Sequence, residues 1–199
     1  MPSEVGRREA CEQEVSKHRH TFTDVSHVSA ERLKLMIEQG PVTIVDVRSP
    51  EERAVSMLPG AVSLEEMPLP PDDRPLVLYC TVGFRSSLEA RRLAPAADVH
   101  SMGGILEWVH AGGTLVDPAN GCETRRLHAF GSKWAAMAPE DCEVLVFEKT
   151  LSAAYISALL RVPAVWAMGV LGSWSGGSRS PQQGGTQAGG GGAAARTSE

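Results

Sequence analysis

Leu76, Val77, Leu78 and Tyr79 form an unbroken apolar run without polar alternation, and a strand of this kind must be covered on both faces. Val42 to Val47 is a second run of the same type, rich in β-branched residues, and Val99 to Met102 reads as a third. Helical signals lie between them. Ser29 is placed to cap a helix whose Leu33, Met36 and Ile37 share one face, and Gly40 with Pro41 stops it. Ser49, Pro50, Glu51 and Glu52 spell a second helix start, with cap, first-turn proline and acids at the positive end of the dipole; Pro59 and Gly60 keep that helix short. Ala61 to Leu64 suits a small strand, and Pro68, Pro70, Pro71 and Pro75 force an irregular loop. Ser86 or Ser87 is expected to cap a helix carrying Leu88 to Leu93, and Ile105 to Ala111 is a helix with Trp108 inward. This alternation predicts an α/β fold: a central parallel sheet with helices on both faces, joined by right-handed crossovers. Ligands in such sheets gather at the carboxyl ends of strands, where Cys80 falls.

Four segments are expected along the 199 residues. Residues 1–21 lack apolar periodicity and read as a flexible leader, with order beginning near Phe22. Residues 22–118 hold the folded domain. Residues 119–171 form a partly helical extension, in which Leu127, Phe130 and Trp134 suit a helix and Val144 to Phe147 an edge strand. Residues 172–199, mostly glycine, serine, alanine and glutamine, are too poor in apolar groups to offset ordering entropy and are expected to be disordered.

A formal net charge of -5 argues against nucleic acid and anionic membrane as partners, so any anion site must be local. Cys11, Cys80, Cys122 and Cys142 form no C-x-x-C pair and no ligand cluster with histidine, which supports neither a metal, nor a disulfide framework, nor a cofactor. Glu4, Glu9, Glu12 and Glu14 fit no secretory or transit segment, and the cytoplasm is the expected location. Leu151 to Gly172 is apolar, but Arg161 and Pro163 near its middle favour a docked or disordered helix over a membrane span.

The chemistry concentrates in Cys80, Thr81, Val82, Gly83, Phe84, Arg85, Ser86 and Ser87, between a buried strand and a helix. Successive backbone N–H groups in such a turn form an anion nest, and the helix start adds unsatisfied donors. A thiol there is drawn towards thiolate, the nucleophilic form. Gly83 permits positive φ, Arg85 offers a cation whose fork matches sulfonate or phosphate oxygens, and Ser86 adds a hydroxyl donor. Phe84 is read as a packing residue. Cys11, Cys122 and Cys142 lack comparable surroundings and read as incidental thiols.

Taken in order, Asp46-Val47-Arg48, Leu58-Pro59-Gly60-Ala61, the loop Cys80 to Ser86, and Gly103-Gly104 followed by Trp108 and Gly112-Gly113 resemble the motifs of a single-domain rhodanese, over roughly residues 22–118. The resemblance implies that Cys80 accepts a sulfane sulfur, that the backbone amides of Thr81 to Ser86, those of Val82, Gly83 and Phe84 included, surround the persulfide, and that Arg85 orients the donor. Asp46 and Arg48 would brace the loop. The family pattern usually has histidine before Leu-Pro-Gly-Ala, where this chain has Met57. The implied partners are a small-molecule sulfur donor, thiosulfate or a persulfide, and a thiol or cyanide acceptor. Two rivals share the loop type. One is phosphatase or arsenate reductase chemistry, against which stand only four residues between Cys80 and Arg85, a ring better sized for one sulfur than for a tetrahedral oxyanion. The other is a non-catalytic persulfide carrier or regulatory module on the same fold.

Overall fold

The computed structural model describes residues 2–67, 74–94 and 98–146. The expectations for residues 172–199 and for the Leu151 to Gly172 segment lie outside the described residues. Five strands, β1 (Ser26–Val28), β2 (Thr43–Asp46), β3 (Val62–Ser63), β4 (Leu76–Tyr79) and β5 (Val99–Met102), form one parallel sheet in the order β1-β5-β4-β2-β3. The most apolar run, β4, lies at its centre, as its lack of alternation requires.

Side chains leave alternate faces of these strands and define two cores. Ile44, Val77, Tyr79 and Met102 share one face with helices α1 (Glu4–Thr21), α2 (Ala30–Gln39) and α5 (Ile105–His110), which contribute Val15, Leu33 and Trp108. Val45, Leu76, Leu78 and Val99 occupy the other, under Ala90 and Leu93 of α4 (Phe84–Leu93). Helices therefore cover both faces, and the α/β reading holds.

Local signals are realised in part. Ser29 caps α2 by accepting from the Arg32 N–H, but Ala30 and Leu33 make its buried face and Ile37 is exposed. At α3 (Pro50–Arg53), Ser49 accepts from the Glu52 N–H while the Glu52 carboxylate accepts from the Ser49 N–H, a reciprocal capping box. Neither Ser86 nor Ser87 caps α4. Its cap is Gly83, at φ 95°, and both serines lie inside the helix and are buried.

The expectation of a flexible leader is overturned, because residues 4–21 form the 18-residue helix α1, capped by Ser3. Cys11 and Val15 are its only buried apolar residues, with Ala10 partly buried against the same core, too little for a periodic signal, and charged groups supply much of the rest. Glu14 is buried against Lys17 and Lys133, and Arg19 pairs with Glu107 of α5 at 2.7 Å.

Residues beyond α5 also join the domain. β6 (Leu115–Val116) pairs antiparallel with β7 (Glu123–Thr124), and β8 (Arg126–His128) pairs parallel with β9 (Glu143–Leu145). Leu127, expected on a helix, sits in β8 and is fully buried in the first core with Met137 and Ala138. Trp134 alone of the expected helical trio falls in a helix, the short α6 (Ser132–Ala135). No described helix is long and apolar enough to cross a membrane.

Val15 presses on Gly103, so its truncation should be felt. Val15→Ala should lower unfolding free energy by about 2 kcal/mol in urea titrations. An unchanged midpoint would show that α1 is not docked.

Candidate active site

β4 ends at Tyr79 and delivers Cys80 to the first position of the loop that leads into α4. The loop is fixed from below by the β5–α5 turn. The Ile105 N–H donates to the Cys80 carbonyl at 2.8 Å and the Leu106 N–H to that of Thr81 at 3.4 Å. A Cβ on Gly104, whose φ is 100°, would lie 2.4 Å from the Thr81 carbonyl carbon and oxygen, so only glycine permits this approach. The Gly103-Gly104 motif thus has a direct cause: backbone must lie on backbone. Gly113 plays a similar part for Trp108, whose ring occupies the space a Cβ would take and whose Nε1 donates to the Thr114 carbonyl.

The Cys80 sulfur accepts from the Gly83 N–H at 3.2 Å, and the Ser86 hydroxyl lies 3.7 Å away. Ser86 and Ser87 both reach the Gly83 carbonyl, at 3.2 and 2.7 Å, and both meet the Ser101 hydroxyl of β5 at 3.0 Å. This serine cluster pins the start of α4 to β5. Cys80 and Ser86 are fully buried, and Thr81 and Val82 are buried.

Arg85 does not stand as an isolated cation. Its Nη1 and Nη2 donate to the two oxygens of Glu52, at 2.6 and 2.8 Å, and Nη2 also donates to the Thr81 hydroxyl at 2.9 Å. The Phe130 ring centroid lies 5.3 Å from its guanidinium carbon, and His128 Nδ1 is 3.3 Å from Glu52 Oε1. Burial alone would raise the Glu52 carboxyl, but hydrogen bonds from Arg85 and His128 outweigh it and hold the group well below the usual carboxylate range.

The expected residues therefore separate. Cys80, Thr81, Gly83, Arg85 and Ser86 converge around the sulfur and the ion pair. The Val82 side chain enters the first core, and Phe84 turns outward against His18 and Phe22, with ring centroids 5.4 Å away in both contacts. Asp46 and Arg48 are fully buried and pair with each other, and neither side chain bonds residues 81–86. Asp46 accepts from the Tyr79 hydroxyl, which accepts from the Leu58 N–H, while Arg48 donates to the Ser56 carbonyl. They brace the strand end before Cys80 and the Leu58-Pro59-Gly60-Ala61 turn. Met57, at the position of the missing histidine, bridges to Val116 of β6.

Glu52, His128 and Phe130 were not read from the sequence as members of this site. Glu52 carried a helix-start signal that accounted for it, and His128 and Phe130 arrive across the fold from the segment around β8. Of the remaining cysteines, Cys122 is exposed, while burial first and then Glu107 push the Cys11 thiol up to about 12. Among the described residues no cluster of three histidine, cysteine or acidic side chains could hold a metal.

A parallel sheet delivering one cysteine into a glycine-containing loop at the head of a helix defines a class of α/β cysteine-loop domains. Residues 29–111 match the family model described as Rhodanese-like domain. A sulfurtransferase of Allochromatium vinosum is 31% identical over 104 residues, covering 47% of this chain and 97% of that protein. A tRNA sulfurtransferase of Desulfurococcus amylolyticus is 48% identical over 56 residues, 27% of this chain and 12% of that much longer protein. Among solved structures, the thiosulfate sulfurtransferase from Pseudomonas aeruginosa is 20% identical, with a TM-score of 0.45 over 66% of this chain and 26% of that one. The chain belongs to the rhodanese-like family.

A carboxyl whose folded pKa is depressed contributes stability above its unfolded value of about 4.3 and loses it as pH falls. Glu52→Gln should cost about 3 kcal/mol near neutrality by leaving Arg85 without its carboxylate. Urea midpoints should decline less steeply in this variant than in wild type from about pH 5 downward, and parallel declines would remove Glu52 from the acid response. Gly104→Ala, forced onto the Thr81 backbone at positive φ, should cost about 2–4 kcal/mol in the same assay; a loss under about 0.5 kcal/mol would mean that the loop does not rest on this turn.

Proposed function

We propose that this chain is a sulfurtransferase that carries a sulfane sulfur as a persulfide on Cys80. The observation that carries the reading is the position of the Cys80 sulfur at the head of α4, with the Gly83 N–H directed at it from 3.2 Å. Membership of the rhodanese-like family and a sulfurtransferase relative matched over nearly its whole length support it.

The Cys80 thiolate attacks the terminal sulfur of the donor. A bond forms between Cys80 Sγ and that sulfur, the donor's own sulfur–sulfur bond breaks, and its electron pair leaves on sulfite from thiosulfate, or on a thiolate from a persulfide. The backbone donors of Thr81 to Ser86 then hold the anionic persulfide, as a nest holds an anion. Sulfite and thiolates are good leaving groups, so no general acid is required. In the second half-reaction a thiol or cyanide attacks the outer sulfur and restores the Cys80 thiolate. Arg85, bonded to the Thr81 hydroxyl next to Cys80 in the loop, orients the donor, and Asp46 and Arg48 act through Tyr79 by fixing the strand end.

Complete burial of Cys80 favours a second reading, a persulfide carrier that accepts sulfur and yields it only to a docked partner. Wild-type protein treated with thiosulfate or a thiol persulfide should gain one sulfur atom by intact mass, and Cys80→Ser should gain none. Steady turnover with cyanide or glutathione marks the enzyme; an adduct without turnover marks the carrier. Absence of any adduct, together with hydrolysis of an aryl phosphate, would replace both readings by phosphatase chemistry.

A further inference from the structure

Beside the Cys80 loop, at the Thr81 hydroxyl, groups from three parts of the chain meet. Arg85 of α4 is held edge-on by both oxygens of Glu52 from α3, at 2.6 and 2.8 Å, and its ion pair is 4–9% exposed. His128 stands 3.3 Å from the same carboxylate and is buried, while Phe130 covers the guanidinium. These last two residues lie beyond the segment 29–111 that matches the family model. A cation so placed already has its counter-charge. A dianionic donor approaching Arg85 meets the Glu52 carboxylate at short range in a poorly solvated site, where like charges repel far more strongly than in water. A donor bearing a single negative charge at its reacting end meets about half that opposition.

Resting on the Cys80 persulfide reading above, we propose that Glu52 is a specificity-determining residue that selects singly charged sulfane-sulfur donors, the persulfides of thiols, over dianionic thiosulfate, with His128 and Phe130 as the positioning residues that hold its pairing with Arg85. The transfer step is unchanged by this selection. The donor's terminal sulfur bonds to Cys80 Sγ, its sulfur–sulfur bond breaks, and the pair of electrons departs with a thiolate.

The test compares thiosulfate with methanethiosulfonate, which replaces one anionic oxygen of thiosulfate by methyl and keeps the sulfonyl–sulfur bond. Attack of the Cys80 thiolate on the outer sulfur releases methanesulfinate in the one case and sulfite in the other, leaving the same persulfide. Second-order loading constants are read by intact mass for the full-length chain. Glu52→Gln should raise the thiosulfate constant relative to the methanethiosulfonate constant by about tenfold. The gain should vanish in the double variant Glu52→Gln with Arg85→Gln, because it is Arg85 that the first substitution uncovers. Two substitutions keep the Glu52 charge and loosen its setting, His128→Ala and Phe130→Leu; each should move the ratio in the same direction by about threefold.

The Glu52→Gln ratio decides if that variant keeps the wild-type circular dichroism, and the two milder substitutions decide if it does not. An unmoved ratio in the deciding variants would overturn the selection while leaving the persulfide on Cys80 intact. A gain that survives loss of Arg85 would overturn it equally. Failure of wild type to load from either donor would instead bring down the sulfurtransferase reading itself.

Discussion

The contact on which the site depends is between two stretches of backbone. Gly104 lies so close to Thr81 that a single methyl group would force them apart, and the Ile105 N–H closes on the Cys80 carbonyl through the space that glycine leaves. A loop leaving the centre of a parallel sheet has no strand partner for its peptide groups, and buried peptide groups must be satisfied. Here the following turn satisfies them. The sulfur, the Gly83 N–H and the first turn of α4 keep their mutual positions because the loop rests on β5 and α5 rather than on solvent.

Two buried ion pairs flank this loop and do different work. Asp46 and Arg48 lie at the end of β2, fully enclosed, with Tyr79 and the Ser56 carbonyl taking further hydrogen bonds. Burying a charge is costly unless its partner and its remaining hydrogen-bonding groups are supplied, and this pair ties strand ends to the 56–58 turn in return. Glu52 and Arg85 meet the same loop at the Thr81 hydroxyl, where the same physics governs the cost of burying their charges. One carboxylate thereby serves as helix cap, ion-pair partner and neighbour of the His128 imidazole.

Much of the fold was legible because unbroken apolar runs admit few environments. Leu76–Tyr79 had to be central, and the cysteine that follows had to emerge at the carboxyl edge. The helix α1 was illegible for a physical reason: a few small apolar contacts and several ion pairs hold it, and ion pairs across the fold leave no periodic trace in a sequence. Ser86 and Ser87 misled because a capping residue type also serves inside a first turn, where these hydroxyls bond the Gly83 carbonyl instead of a backbone N–H. Glu52 was recognised for its local role and its longer reach went unread, since the distance from Glu52 to Arg85 along the chain says nothing of their meeting at 2.6 Å. His128 and Phe130 carried no motif at all.

The small parallel pair β8 and β9 stands apart from the main sheet, yet it plants an imidazole and leads to an aromatic ring against the Glu52–Arg85 pair. The portion of the chain that matches the family model therefore does not hold every residue that touches the Glu52–Arg85 pair. A fragment trimmed to the shared portion would leave the Glu52 carboxylate without its imidazole neighbour and the Arg85 guanidinium without its aromatic cover.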